Sequence, residues 1–274
     1  MNTPSKVQKL LFRKVKSFLK LGSDPDFFIL GAQKAGTTSL FKYIEQAGVN
    51  FKPPRQKELY FYTENYSRGK GYYRSAFPFW KGRNSVSGEA TPDYLFHHKV
   101  PEHLAQHHPE AKLVILLRDP IDRAFSQYNH QNFTNKTSAY DPLDFSRAIR
   151  TESERYQVHH ESPFFYEYKY FSYKARGLYE EQIIRYKKLF NEEQLLFLDI
   201  SDLKNELKIK EVFDFLGITI DTKKLNLNEK YNSNKTFKML DQDRAYLLEF
   251  YKGKFQSLET LTGRSFPWLS PYLK

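Results

Sequence analysis

The chain has 274 residues, with 43 Lys and Arg against 32 Asp and Glu, giving a formal charge of +11. The absence of cysteine excludes disulfides, thiolate-held zinc, iron–sulfur clusters and a thiol nucleophile. With 24 Phe and 20 Tyr the chain carries far more buriable ring area than a disordered segment, and it has no apolar run of the roughly 18 residues a membrane span needs. The basic balance points to an anionic partner without choosing among nucleic acid, anionic lipid, phosphorylated nucleotide and acidic glycan.

Residues 5–21 place Leu10, Leu11, Val15, Phe18 and Leu19 at near-helical spacing among lysines and arginines. The pattern suits a basic amphipathic helix, packed on its own domain or in peripheral contact with an anionic membrane. Its charges are scattered among the apolar positions rather than set out as in a signal peptide, and a cytoplasmic location is expected. Residues 1–24 form this segment, and one domain is expected over 25–274. The apolar runs 27–30, 111–117 and 195–200 read as buried parallel strands. Helical patterns follow at 38–47, 121–131, 178–190 and 241–261, with Ser201-Asp202 as a helix cap. Strands alternating with helices predict an α/β fold, a parallel sheet with helices on both faces.

Between the first strand and its helix lies Gly31-Ala32-Gln33-Lys34-Ala35-Gly36-Thr37-Thr38-Ser39. A small-residue turn feeding a helix start gathers backbone N–H groups around an anion. Lys34 adds a charge, and Thr37, Thr38 and Ser39 add hydroxyls. A nucleotide P-loop places Lys directly after its last Gly; here Thr37 holds that position and the Lys falls three residues earlier. A P-loop nucleotide kinase, with Asp119 as a magnesium-side carboxylate, is one alternative reading. A basic module binding nucleic acid or membrane is another. Histidine pairs at 97–98, 107–108 and 159–160, and the i, i+4 spacing of His103 and His107, also match metal-ligand spacing, without the H-E-x-x-H pattern.

The rearranged loop resembles that of the sulfotransferases that use 3′-phosphoadenosine 5′-phosphosulfate (PAPS), in which P-K-x-G-T-T holds the 5′-phosphosulfate. A second element of that family, a strand ending in Arg-[DN]-Pro with a Ser on the following helix, is matched by Arg118-Asp119-Pro120 and Ser126. Glu89-Ala90-Thr91-Pro92-Asp93-Tyr94, Arg176-Gly177-Leu178-Tyr179 and the stretch from Leu261 to Trp268 resemble further family segments, in family order. The likeness is nearest to the branch of heparan sulfate N- and O-sulfotransferases and their bacterial relatives.

The resemblance implies a P-loop-like parallel sheet and transfer of a sulfuryl group from PAPS to a hydroxyl or amine of a carbohydrate-like acceptor. Adenosine 3′,5′-bisphosphate (PAP) is released; neither metal nor nucleic acid is needed. Lys34 and residues Ala35, Gly36, Thr37, Thr38 and Ser39 would hold the 5′-phosphosulfate, and Arg118 and Ser126 the 3′-phosphate. Tyr179, Lys235 and Lys238 would complete the nucleotide site. Gln56-Lys57-Glu58-Leu59-Tyr60-Phe61 resembles the segment whose Glu is the base, so Glu58 is the implied base and His130 a second proton-transfer group. Lys57, Arg55, Tyr94 and Arg176 are the implied acceptor contacts. Tyr and Phe within 155–173 suit stacking on sugar faces. The chain departs from the branch at Ala90, where the glycosaminoglycan enzymes carry Lys, and at Tyr60, where the O-sulfotransferases often carry His. Residues 232–238 lack the Gly and Cys of the family's closing loop.

Overall fold

The structure, a computed structural model, describes residues 22–79, 82, 84–133, 140–157, 166–227 and 238–273. The basic N-terminal helix expected over 5–21, and Lys235, lie outside the described residues. Four strands form one sheet: β1 (Phe27–Gly31), β2 (Gly88–Ala90), β3 (Lys112–Leu117) and β4 (Leu195–Asp199). Their spatial order is β2-β1-β3-β4, and every pairing is parallel. The three apolar runs read from the sequence are β1, β3 and β4, and β1 is buried along its whole length. The strand β2 was not foreseen, being three residues long with a Glu at its centre.

Eleven α-helices pack around the sheet among the described residues. The early ones are α1 (Thr37–Ala47), α2 (Gly69–Arg74), α3 (Val100–His107), α4 (Pro120–Phe133), α5 (Phe145–Arg150) and α6 (Glu152–Gln157). The later ones are α7 (Tyr166–Phe171), α8 (Tyr179–Lys187), α9 (Glu206–Leu216), α10 (Asp241–Tyr251) and α11 (Leu258–Thr262). Two expectations are corrected. The pattern over 241–261 is two helices, because Gly253 takes a left-handed φ of 69° and turns its N–H to the carbonyl of Tyr272 at 2.8 Å. The cap expected at Ser201-Asp202 is instead Asp199, which caps a short 3-10 turn, and Asn205, whose side chain accepts from Leu207 and Lys208 N–H at the start of α9.

The chain leaves β1 for β2 on one side and leaves β3 for β4 on the other. A crevice therefore opens between the carboxyl ends of β1 and β3, where open parallel sheets bind ligands. Residues 264–272 brace that edge. Arg264 reaches the Phe197 carbonyl and Asp202, the Trp268 indole N–H donates to Asp199 at 2.7 Å, and the Tyr272 hydroxyl donates to Asp119 at 2.9 Å.

Candidate active site

The turn after β1 is held open by its own backbone. Lys34 and Gly36 both sit in the left-handed region, at φ 69° and 95°. A Cβ on Gly36 would come within 2.4 Å of the Leu203 side chain, so only glycine fits this bend. The N–H of Ala35 closes onto the Ala32 carbonyl at 3.0 Å and its side chain is buried. Ala35 therefore shapes the turn from within. Helix α1 then begins at Thr37 with no acidic residue in its first turn and no side-chain cap. The N–H groups of Thr37, Thr38 and Ser39 face the turn without intrahelical acceptors, at the positive end of an 11-residue helix.

Two guanidinium groups fasten this turn to the other side of the crevice. Arg118, at the end of β3, donates to the Lys34 carbonyl at 3.1 Å. The Tyr179 hydroxyl in turn donates to the Arg118 carbonyl at 2.7 Å. Tyr179 is fully buried, and through this bond it positions Arg118. Arg123 on α4 is also fully buried; it spans the Gln33 carbonyl, the Gln127 side chain and the Tyr173 carbonyl, with no carboxylate partner among the described residues. The sequence reading gave it no role, although an Arg one turn into an otherwise apolar helix face was the available signal. Ser126 is half-buried two turns into α4. Lys238 is exposed ahead of α10, with no hydrogen bond or ion pair to this group among the described residues.

Cations therefore crowd the turn. Burial, then Arg118, Lys57 and Arg123, lower the Lys34 ammonium from its usual 10.5 to about 8, against an opposing pull from Glu58. No carboxylate pairs with Lys34 among the described residues, so the site carries positive charge that an anion would neutralise.

Glu58 stands on a short irregular segment ahead of a π-helical turn, Phe61–Asn65. One carboxylate oxygen accepts from Lys57 at 2.7 Å and the other from the Tyr60 hydroxyl. Burial alone would raise its pKa, but Lys57, Tyr60 and the nearby His130 outweigh it and hold Glu58 below the ordinary carboxylate value. Tyr60 occupies a left-handed φ of 48°, and its hydroxyl is pushed far up by burial and by Glu58. It remains a donor.

The segment is anchored by Glu89 at the centre of β2, a residue noticed in the sequence only as part of a motif. Glu89 is fully buried. It accepts from the hydroxyls of Tyr73 (2.6 Å), Tyr94 (3.1 Å) and Thr91 (2.8 Å) and from the Leu59 N–H (3.4 Å). Burial lifts it to about 7 against those four donors. The Ala90 N–H also donates to the Lys57 carbonyl at 3.2 Å, so the end of β2 grips the chain on both sides of Glu58.

Of the implied acceptor contacts, Lys57 is at the site and Arg55 is exposed nearby in sequence. Tyr94 is fully buried, with its hydroxyl between Glu89 and the Phe61 N–H. Arg176 is buried and paired with Asp93 at 2.9 Å, on the wall of a cleft of about 810 Å³.

Asp119 is not available as a magnesium ligand. One of its oxygens caps α4 by accepting from the Ile121 and Asp122 N–H at 2.9 and 3.0 Å, and the other takes the Tyr272 hydroxyl. His103 and His107 lie against Tyr66, with ring centroids 3.9 and 5.6 Å away. No group of three or more potential ligands is placed to hold a metal among the described residues.

Comparison with known proteins bears on the family and the fold. The solved sulfotransferase of Alicyclobacillus acidocaldarius superposes with a TM-score of 0.70 and 27% identity, covering 89% of this chain and 98% of that one. A mouse sulfotransferase, SULT7A1, solved with PAP, shares the fold at a TM-score of 0.56 and 12% identity, covering 91% of this chain and 90% of its own. Among curated relatives, the human bifunctional heparan sulfate N-deacetylase/N-sulfotransferase 3 is 27% identical over 263 residues, which is 89% of this chain and 27% of that protein. The chain thus spans about a quarter of the length of such relatives. The family described as the sulfotransferase domain matches residues 24–255, and this chain belongs to it.

Proposed function

We propose that this chain transfers a sulfuryl group from PAPS to a hydroxyl or amine of a carbohydrate-like acceptor. One observation carries the reading: the uncapped start of α1 lies between Lys34, which has no carboxylate partner among the described residues, and the Arg118 that grips its carbonyl, at the crevice where the sheet reverses. An anion with phosphate-type oxygens fits that cradle by charge and by donor count. The PAP bound to the mouse fold relative and the heparan sulfate named for the human one support the choice of donor and acceptor class.

When bound, PAPS supplies an activated sulfuryl group on a phosphate leaving group. The open N–H groups of Thr37, Thr38 and Ser39, with Lys34, bind its 5′ end, and Arg118 and Ser126 bind the 3′-phosphate. Glu58 takes the proton from the acceptor as the acceptor–sulfur bond forms. Lys34 meets the negative charge that returns to the bridging oxygen as the sulfur–oxygen bond breaks. Lys57 and Tyr60 hold Glu58 in one orientation until then, and His130 assists proton transfer.

Titration calorimetry with PAP and with ATP plus magnesium tests the donor: PAP is expected to bind and Lys34→Ala to weaken it by about 100-fold, whereas ATP-only binding would refute the reading. Glu58→Ala is expected to lower turnover by about 10²- to 10⁴-fold while PAP still binds. Full turnover in that variant would remove Glu58 as the base.

A further inference from the structure

The cleft beside Glu58 differs in character from the donor crevice. Its walls come from three separated segments: the π-helical turn and its sequel, residues 93–103 leading into α3, and α7 with the residues that follow. The rings of Phe96 and Tyr168 stack at 4.8 Å and 25°, and those of Tyr66 and His103 at 3.9 Å and 9°. Lys169, on the cleft wall, lies 5.0 Å over the Tyr60 ring, whose hydroxyl sits on Glu58. One phenol therefore separates this cleft from the base.

Its charges are already matched. Lys169 is paired with Glu64, and Arg176 with Asp93. Lys99 is exposed at the rim, and no ion pair involves it among the described residues. Burial and neighbouring cations lower His97 to about 4 and burial lowers His103, so both imidazoles are neutral at pH 7. A chain with a net charge of +11 thus presents a nearly balanced lining here. A polyanionic glycan would have to break these pairs to find cations, and for Arg176 that would leave the buried Asp93 carboxylate alone.

Resting on the sulfotransferase reading, we infer that this cleft binds the acceptor and selects an uncharged sugar ring over a uronate-bearing polyanion. The ring's apolar face lies on the Phe96–Tyr168 and Tyr66–His103 stacks, and its hydroxyls are met by the Glu64 and Asp93 carboxylates. A volume of about 810 Å³ is in the range that encloses a small molecule of disaccharide size.

The test titrates the full chain, saturated with PAP, with cellobiose and with a tetrasaccharide of alternating glucuronate and N-acetylglucosamine, at low and high salt. Cellobiose is expected to bind more tightly, with an affinity that changes less than about twofold between 50 and 300 mM salt because no net charge is neutralised. Tyr168→Ala should weaken cellobiose by about tenfold with PAP affinity intact, and Tyr168→Phe should restore it. Glu64→Gln, which frees Lys169, should strengthen the tetrasaccharide at least about threefold. A tetrasaccharide that binds more tightly than cellobiose, with steep salt dependence, overturns the assignment; so does the absence of saturable cellobiose binding. PAP binding is read in the same cell, so failure of the donor reading appears separately, as no heat from PAP.

Discussion

Two helices begin at the crevice, and they begin differently. Helix α4 is capped by its own chain, with Asp119 accepting from two of its first N–H groups. Helix α1 has no carboxylate in its first turn and no side-chain cap, and the lysine before it has no carboxylate partner among the described residues. A capped helix start is finished as structure, whereas an uncapped one surrounded by cations is finished only by a ligand. The contrast separates the residue pairs that stabilise the fold from those that bind, although both arise at the ends of adjacent parallel strands.

The largest effect should come from removing the charge at the open helix. Lys34→Ala is expected to weaken PAP by about 100-fold by calorimetry, the size of a lost charge-assisted contact in a buried site. The melting temperature of the ligand-free protein should hold or rise, because a half-buried cation crowded by Arg118, Lys57 and Arg123 is gone. A smaller effect should come from pH. With Lys34 at about 8 in the free protein, an anion must return the proton, so PAP affinity should fall about tenfold from pH 7 to 9. Titrations in two buffers of different ionisation heat would detect the proton taken up. In the free protein the sign reverses: the unfolded lysine keeps its proton up to 10.5, so this group makes stability increase as pH rises from 8 to 10.5. The smallest effect belongs to the capped helix. Asp119→Ala should cost about 1 kcal/mol of stability, seen in denaturant melts, with a much smaller loss of PAP affinity than Lys34→Ala. A reversed ranking of the two variants would erase the distinction between the helices.

The parts of the fold that could be read ahead were those with local signals. Continuous apolar runs marked β1, β3 and β4, and the small-residue turn with Lys34 marked the left-handed bend that leads into α1. Three kinds of feature were hidden. The strand β2 is too short for periodicity, and its central Glu89 contradicts the apolar pattern expected of a buried strand. Gly253 ended a helix within a pattern that otherwise continued. Arg123, Tyr94 and Tyr179 carry polar groups into the core, where only the folded arrangement shows which carbonyl or carboxylate each one meets. The cleft walls come from segments about 100 residues apart in sequence, so no window of sequence contains them.

The brace over 264–272 ties the crevice edge at the ends of β3 and β4 to residues made long after it. Tyr272 meets Asp119 across 153 positions, and Trp268 meets Asp199 across 69. Loop closures of that length come late because their entropy must be met before the contact forms. During synthesis or refolding, the sheet can assemble while its ligand-binding edge is still loose, and nucleotide affinity should be acquired as the final stage of maturation.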